Sequence, residues 1–401
     1  MSIYSLKGVV QHYAWGGTTF IPQLLKVKNV NQQPFAEFWM GTHIKGPAKL
    51  IKSDTEVSLS EFIQDAPITR LGKQSAARFQ NQLPFLFKVL DVKKMLSIQA
   101  HPTKKEAELG FVRENKLGIE RTAPNRTYRD DNHKPEIMVA LTDFWLLHGF
   151  KSIEEIHTTL EIPAFKPLQP FFVNDDILSL YKAIMEMPQA KVNTLLAPLW
   201  ERLQTQWEKG YLTKDNPDYW AAQAFQDYTK DGQYDRGIFS IYLFNLVNIP
   251  KGAGIFQAAG IPHAYLEGAN MELMANSDNV FRGGLTQKHI DVPELLKHLI
   301  FDPIVPKILN GEQISPLEKV FKTPAPDFEL SQINLSSKDT YRMTITPSAE
   351  ILIVMNGAAI INCDGQKVTY GTGMTCFVEA NTAYQISSSS NCQLFKAKVP
   401  V

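Results

Sequence analysis

"GAGIFQAAGIPHAY", residues 252–265, decides how the fold is read. Its apolar residues come in short runs broken by Gly and Pro, the pattern of strands joined by tight turns. A second stretch, "GTGMTCFVEANTAY" at 371–384, shares the opening Gly-x-Gly and the closing Ala-Tyr across fourteen positions without a gap. Such a match predicts one β-unit used twice. In that alignment His263 meets Thr382, so the second copy lacks a candidate metal ligand and is expected to be structural.

Upstream, "GIFSIYLFNLVNIP" (237–250) also reads as strand-like. From the start to about residue 150, runs such as "LPFLFKVLDV" and "MLSIQAHP" read as strands and loops. Between these regions the period changes. In "KVNTLLAPLWERLQTQWEKG" (191–210), Val192, Leu195, Leu196, Leu199, Trp200, Leu203 and Trp207 follow the three-four spacing of one helix face, with Pro198 a potential kink. In "NPDYWAAQAFQDYTK" (216–230), Asn216 can cap a helix, Pro217 suits its first turn, and Tyr219, Ala222 and Phe225 continue a face. The last ninety or so residues, rich in Ser, Thr, Val, Ile and Gly, read as all-β. The expected fold is mainly β, two jelly-roll barrels with a helical insertion. Residues 1–151 and 232–316 would form a catalytic domain, 152–231 the insertion and 317–401 the C-terminal barrel.

At 401 residues the chain exceeds one ordinary hydrophobic core. Lys plus Arg equals Asp plus Glu, 41 against 41, so no global field attracts nucleic acid or an anionic membrane. Neither is expected as a partner, and a monomer is expected. The start, "MSIYSLKGVVQHYAWGG", lacks the basic flank and apolar run of a secretory signal, and "ILIVMNGAAII" is too short to span a bilayer. Cys363, Cys376 and Cys392 are too widely spaced for a Cys-x-x-Cys metal site or a disulfide framework, so reduced thiols in a cytoplasmic protein are expected.

"SIQAHP" (97–102) places Gln99 and His101 two apart in a strand-like run, on one face of a sheet. "YRDDNHKPE" (128–136) ends in Glu136, behind a proline that keeps the backbone extended. His263 opens the strand after "GIP". Gln99, His101, Glu136 and His263 together make a nitrogen and oxygen ligand set without sulfur, which suits zinc, with iron or manganese as alternatives. Zinc with one carboxylate and three neutral ligands keeps about one net positive charge, enough to polarise a carbonyl or an alkoxide. Lys134 lies two residues before Glu136, and "MELMANSDNVFRGGLTQK" (271–288) adds Glu272, Asp278, Arg282 and Lys288. No phosphate loop of the P-loop type and no Rossmann fingerprint is present.

These residues resemble the type I mannose-6-phosphate isomerase (phosphomannose isomerase) family. "YRDDNHKPE" matches its first signature throughout, and "HAYLEGANMELMANSDNVFRGGLTQK" (263–288) matches most of the second. "QHYAWGG", "EFWMGTH" and "LPFLFKVLD" agree as well, so the similarity spans about the first 290 residues. The resemblance implies a cupin-type fold, one zinc ion per chain held by Gln99, His101, Glu136 and His263, and interconversion of mannose 6-phosphate with fructose 6-phosphate. It carries the active-site arginine onto Arg282, places Lys134 near the reacting carbons, and suggests Ser97 and Lys288 as phosphate contacts. Two departures stand out: Arg282-Gly283-Gly284 and Thr286-Gln287-Lys288 stand where the family reads Arg-Ala-Gly and Thr-Pro-Lys. Lys134 or His133 is expected to transfer the proton, with Glu272 and Asp278 assisting ring opening. The competing readings are an iron-dependent cupin oxygenase and a sugar-phosphate-binding cupin without catalysis.

Overall fold

Strand Phe85–Val92 carries eight residues, seven of them buried, and its alternation organises the molecule. Phe85, Phe87 and Val89 point into one apolar core, whereas Leu90 and Val92 point into another. Lys88 lies on the same side as Leu90 and Val92. The neighbouring strands keep this division in register. Glu272 of strand His263–Ala275 stands opposite Lys88, and so does Trp39 of strand Glu37–Gly41. On strand Glu136–Ala140, Ile137 and Val139 join Phe87, whereas Glu136 and Met138 face with Glu272. A period of two thus sends one face to a core and the other, with Glu37, Lys88, Glu136 and Glu272, to the site.

The computed structural model describes residues 2–52 and 55–400. Among these, the strands form antiparallel sheets of ten, nine and four. The ten-stranded sheet holds the site-bearing strands. The nine-stranded sheet combines the N-terminal strand Ile3–Lys7 with C-terminal strands such as Glu329–Leu335, Glu350–Asn356 and Cys392–Lys398. The two large sheets share one core, in which Phe85, Phe87, Ile137 and Leu273 meet Phe328, Ile351, Phe377 and Phe395. Each such side chain contributes about 1.5–3 kcal/mol when fully buried, so the C-terminal strands are fastened to the back of the site.

Helices cluster where the 3.6 period predicted them. Ile177–Glu186, Gln189–Glu208 and Pro217–Tyr228 pack around Val192, Leu196, Leu199, Trp220 and Phe225. Asn216 caps the last of them by accepting the Asp218 amide, and Pro198 sits inside Gln189–Glu208 without ending it. From Glu312 onward the described elements are strands.

Two expectations need correction. "GIFSIYL" is a helix, Gly237–Leu243, and only Phe244–Ile249 is strand. Every residue of that helix is buried, so no polar face marked its period. The first 150 residues also hold helices, including Leu59–Asp65 and the thirteen-residue Lys104–Lys116. The latter is opened by a capping box in which Thr103 and Glu106 bond each other's backbone amides, a signal legible in "TKKE". No described helix is long and apolar enough to cross a membrane.

Candidate metal centre

Three strands deliver the ligand candidates. Strand Ile98–Ala100 carries Gln99 and ends one residue before His101, strand Glu136–Ala140 begins at Glu136, and strand His263–Ala275 begins at His263. Gln99 stands directly across from His263 on one side and from Arg282 on the other. Directly opposed residues share a face, so all three face the same way. The strand carrying His263 then shifts register between Tyr265 and Glu267, and Gly268 takes a φ of +129° with no room for a Cβ against the Asp143 carbonyl. The shift moves the inward set from odd to even numbers, so His263 and Tyr265 are followed inward by Glu272.

His101 Nε2 lies 3.4 Å from Glu136 Oε1, and His263 Nε2 lies 3.5 Å from Glu136 Oε2. One donor atom from each residue falls within 4.8 Å of the others. The histidines are 0% exposed and Glu136 2%, yet His101 Nε2, His263 Nε2 and Glu136 Oε2 lack hydrogen-bond partners. Orphaned buried polar atoms are rare and call for a cause. The other ring nitrogens are engaged: His101 Nδ1 meets the Asn279 carbonyl at 2.9 Å, and His263 Nδ1 meets the Ile261 carbonyl at 3.0 Å. A carbonyl can only accept, so each Nδ1 carries the hydrogen and each Nε2 presents its lone pair to the centre. Burial pulls the His101 pKa down to about 4, which keeps it neutral. Burial acts against the Glu136 carboxylate, but its neighbours, the Lys134 ammonium foremost, outweigh it and hold its pKa well below the ordinary value. Two imidazoles and a carboxylate converging on one point fit a zinc ion.

Lys134 Nζ lies 3.2 Å from Glu136 Oε1, with its side chain 11% exposed. Glu272 accepts from Lys88 Nζ at 2.8 Å through Oε2 and from the Tyr265 hydroxyl at 3.0 Å through Oε1. Lys88 also lies 3.4 Å from Glu37, which accepts the Trp39 indole hydrogen. Burial opposes the Lys88 charge, but Glu272 and Glu37 more than offset it and raise its pKa. Burial lifts the Glu272 pKa, and the charges of Glu136 and Glu37 add to the effect. Asp278 is half-buried and paired with Lys45 at 2.9 Å, with His43 3.6 Å away. Burial acts against its carboxylate, but Lys45, His43 and Lys134 keep its pKa below the ordinary value.

Arg282 is half-buried, and burial followed by the charge of Arg129 lowers its pKa. Burial also lowers that of Lys288, reinforced by Arg282, Arg129 and Lys45. These cations face one another without a carboxylate among the groups that shift them. Ser97 precedes Ile98, which pairs with Gly284, so it borders the turn that leads to Lys288. His133 makes its recorded polar contact with Asp327 and not with the ligand trio.

Sequence reasoning missed Lys88, Glu37 and Asn279. A lysine inside the apolar run "LFKVL" was a visible signal, because a central strand buries a charge only where it is paired. Asn279 is 0% exposed and grips the loop before Glu136: its Oδ1 accepts the Arg129 amide at 2.7 Å, and its Nδ2 donates to the Asp130 and Asn132 carbonyls, each at 2.9 Å. Asp130 is an orienting charge, accepting from Ser277 at 2.8 Å and from the Asp278 amide at 2.7 Å.

The family model of the phosphomannose isomerase type I catalytic domain matches residues 3–153. Mannose-6-phosphate isomerase of Salmonella typhimurium is 37% identical over 379 residues, 93% of each chain. That of Escherichia coli is 36% identical over 380 residues, again 93% of each. The crystal structure of mannose 6-phosphate isomerase from Salmonella typhimurium bound to substrate, fructose 6-phosphate, and zinc superposes with a TM-score of 0.89 at 33% identity, covering all of both chains. With that identity over nearly the whole length, the chain belongs to the type I phosphomannose isomerase family.

Proposed function

We infer that the chain is a zinc-dependent aldose-ketose isomerase that interconverts D-mannose 6-phosphate and D-fructose 6-phosphate. What carries this reading is the convergence of three buried, unbonded donor atoms from His101, Glu136 and His263 beside a half-buried arginine. Gln99 is assigned as the fourth ligand, because it shares a face with His263. Zinc bound there supplies Lewis-acid stabilisation to a sugar oxygen as it gains negative charge.

The rest of the chemistry falls to side chains. Moving a proton between C1 and C2 through an enediolate requires a positioned acid-base group and fixed positive charge near the developing oxyanion. Arg282 is assigned the second task, since a guanidinium keeps its proton at neutral pH. Lys134 or His133, on the segment that enters at Glu136, is assigned the proton transfer. Glu272 and Asp278 are assigned to assist ring opening, the ionised Asp278 as a base. Ser97 and Lys288 are assigned to the phosphate. The mutual repulsion of Lys288, Arg282 and Arg129 supports this, because an anion among them relieves it. Phosphate held away from C1 and C2 turns binding energy into orientation.

The fold reading that goes with this function is a cupin-type jelly roll used twice. Residues 1–151 and 232–316 form the catalytic unit, 152–231 the insertion and 317–401 the second β unit, whose strands lie in open sheets, one of them shared with Ile3–Lys7, rather than in the closed barrel expected. In support, Tyr265 and Tyr384, which end the two matching fourteen-residue stretches, both donate to a buried glutamate, Glu272 at 3.0 Å and Glu350 at 2.6 Å. Each glutamate lies near a buried lysine, Lys88 at 2.8 Å and Lys396 at 3.8 Å. Helix Gly237–Leu243 packs onto the insertion. The three buried free cysteines fit a reducing, cytoplasmic setting, and the proposed partner of the chain, read as a monomer, is the sugar phosphate.

Conversion of mannose 6-phosphate in deuterated water tests the reading. Fructose 6-phosphate should form and carry deuterium, since an enediolate intermediate exchanges its proton with solvent. Oxygen uptake, or binding of the sugar phosphate without turnover, would favour the oxygenase or the non-catalytic cupin instead.

A further inference from the structure

The segment Tyr128–Pro135 that leads to Glu136 is gripped from two sides. Asn279 holds Arg129, Asp130 and Asn132 from the loop between strands His263–Ala275 and Phe281–Gly284. The other grip comes from the C-terminal part of the chain. Asp327 Oδ2 lies 2.9 Å from His133 Nε2, with side chains 5% and 22% exposed. A carboxylate so far removed from water is costly unless it is bonded, and His133 is the polar partner recorded for it. Asp327 also has little freedom to leave. It sits between strands Glu318–Phe321 and Glu329–Leu335, and its neighbours Ala325 and Phe328 are buried in the core that joins the two large sheets.

We propose that Asp327 is a positioning residue for the isomerisation, supplied to the site by the C-terminal domain. A carboxylate accepts, so Nε2 of His133 carries the hydrogen toward Asp327. Nδ1 is left as the ring atom that takes or gives a proton, and the ring is fixed in orientation. The C-terminal domain, whose described residues hold no such ligand set, thereby completes the catalytic loop of the first. The proposal rests on the assignment of His133 to the proton transfer.

A double-mutant cycle on the zinc-loaded enzyme tests it, with kcat and KM for mannose 6-phosphate, zinc content and the urea midpoint measured for each protein. Asp327→Ala should lower kcat by about 10- to 100-fold, the scale of a misplaced catalytic group, with KM within about twofold and zinc retained. Asp327→Asn keeps an acceptor for the Nε2 hydrogen and should recover much of the loss. It also serves as the informative variant where the alanine fails to fold. In a His133→Gln background, Asp327→Ala should cost little more, because the residue it positions is already gone. Multiplicative losses in the double variant, or a kcat per folded molecule unchanged in Asp327→Ala, overturn the proposal while leaving His133 in place. Full activity in His133→Gln overturns it differently, by removing the assignment on which it rests.

Discussion

At the scale of single residues, the proposed roles divide into groups that hold the metal and groups that act on the sugar. Glu136 bridges toward both histidines, 3.4 Å from His101 Nε2 and 3.5 Å from His263 Nε2, so removing it dismantles the centre. Arg282 is outside that trio. Glu136→Ala should therefore lose both zinc and turnover, whereas Arg282→Ala should keep its zinc and lose about 100-fold or more in kcat, the scale of one oxyanion-stabilising donor. Metal analysis and steady-state kinetics on the same preparations check this. Normal turnover in Arg282→Ala removes the electrostatic role assigned to it. The candidate ligands were legible because Glu136 and His263 open strand-like runs and His101 follows Gln99 by two in a third. Lys88 and Glu37 were less so, because their pairing joins strands 51 residues apart in number, and no local pattern reveals which strands will be neighbours. Arg129 carried no assignment from the sequence, yet its charge acts on both Arg282 and Lys288.

At the scale of elements, strand His263–Ala275 was visible in sequence but its bend was not. Strict alternation from His263 puts Glu272 on the opposite face, and only the irregularity between Tyr265 and Glu267 brings both inward. Helix Gly237–Leu243 was misread because burial on all sides erases the polar-apolar contrast on which periodicity depends. Helix Val292–His298 shows how a peripheral element is fastened behind the site. Its Glu294 accepts from Tyr128 at 2.7 Å, pairs with Arg113 at 2.8 Å and lies 3.2 Å from His298. The contact with His298, followed by those with Tyr128 and Arg113, holds the Glu294 pKa well below its ordinary value even though burial opposes this. A depressed carboxyl contributes stability above its unfolded pKa, about 4.3, and loses it as pH falls toward the folded value. The difference in urea midpoint between the wild type and Glu294→Gln should accordingly be largest above about pH 5 and shrink as the pH falls below about 4. A difference that stays constant across this range would show that Glu294 is not coupled to folding through its charge.

At the scale of the whole molecule, the two large sheets and the catalytic chemistry are one mechanical unit. The core behind Glu136 and Lys88 is completed by Phe328, Ile351, Phe377 and Phe395, and the loop in front is reached by Asp327. The overall class, mainly β with a helical insertion, was readable from turn residues and from the switch of period between residues 152 and 231. The packing of one sheet against the other was not, since it depends on contacts hundreds of residues apart. On this reading the whole assembly serves to hold one zinc ion where a sugar phosphate can be isomerised. The most direct test is a single preparation assayed for zinc and for mannose 6-phosphate conversion as purified, after exhaustive chelation, and after zinc is restored. The prediction is about one zinc per chain, conversion that falls in proportion to the metal removed, and recovery on adding zinc back. Undiminished conversion by protein shown to contain no metal would contradict the account.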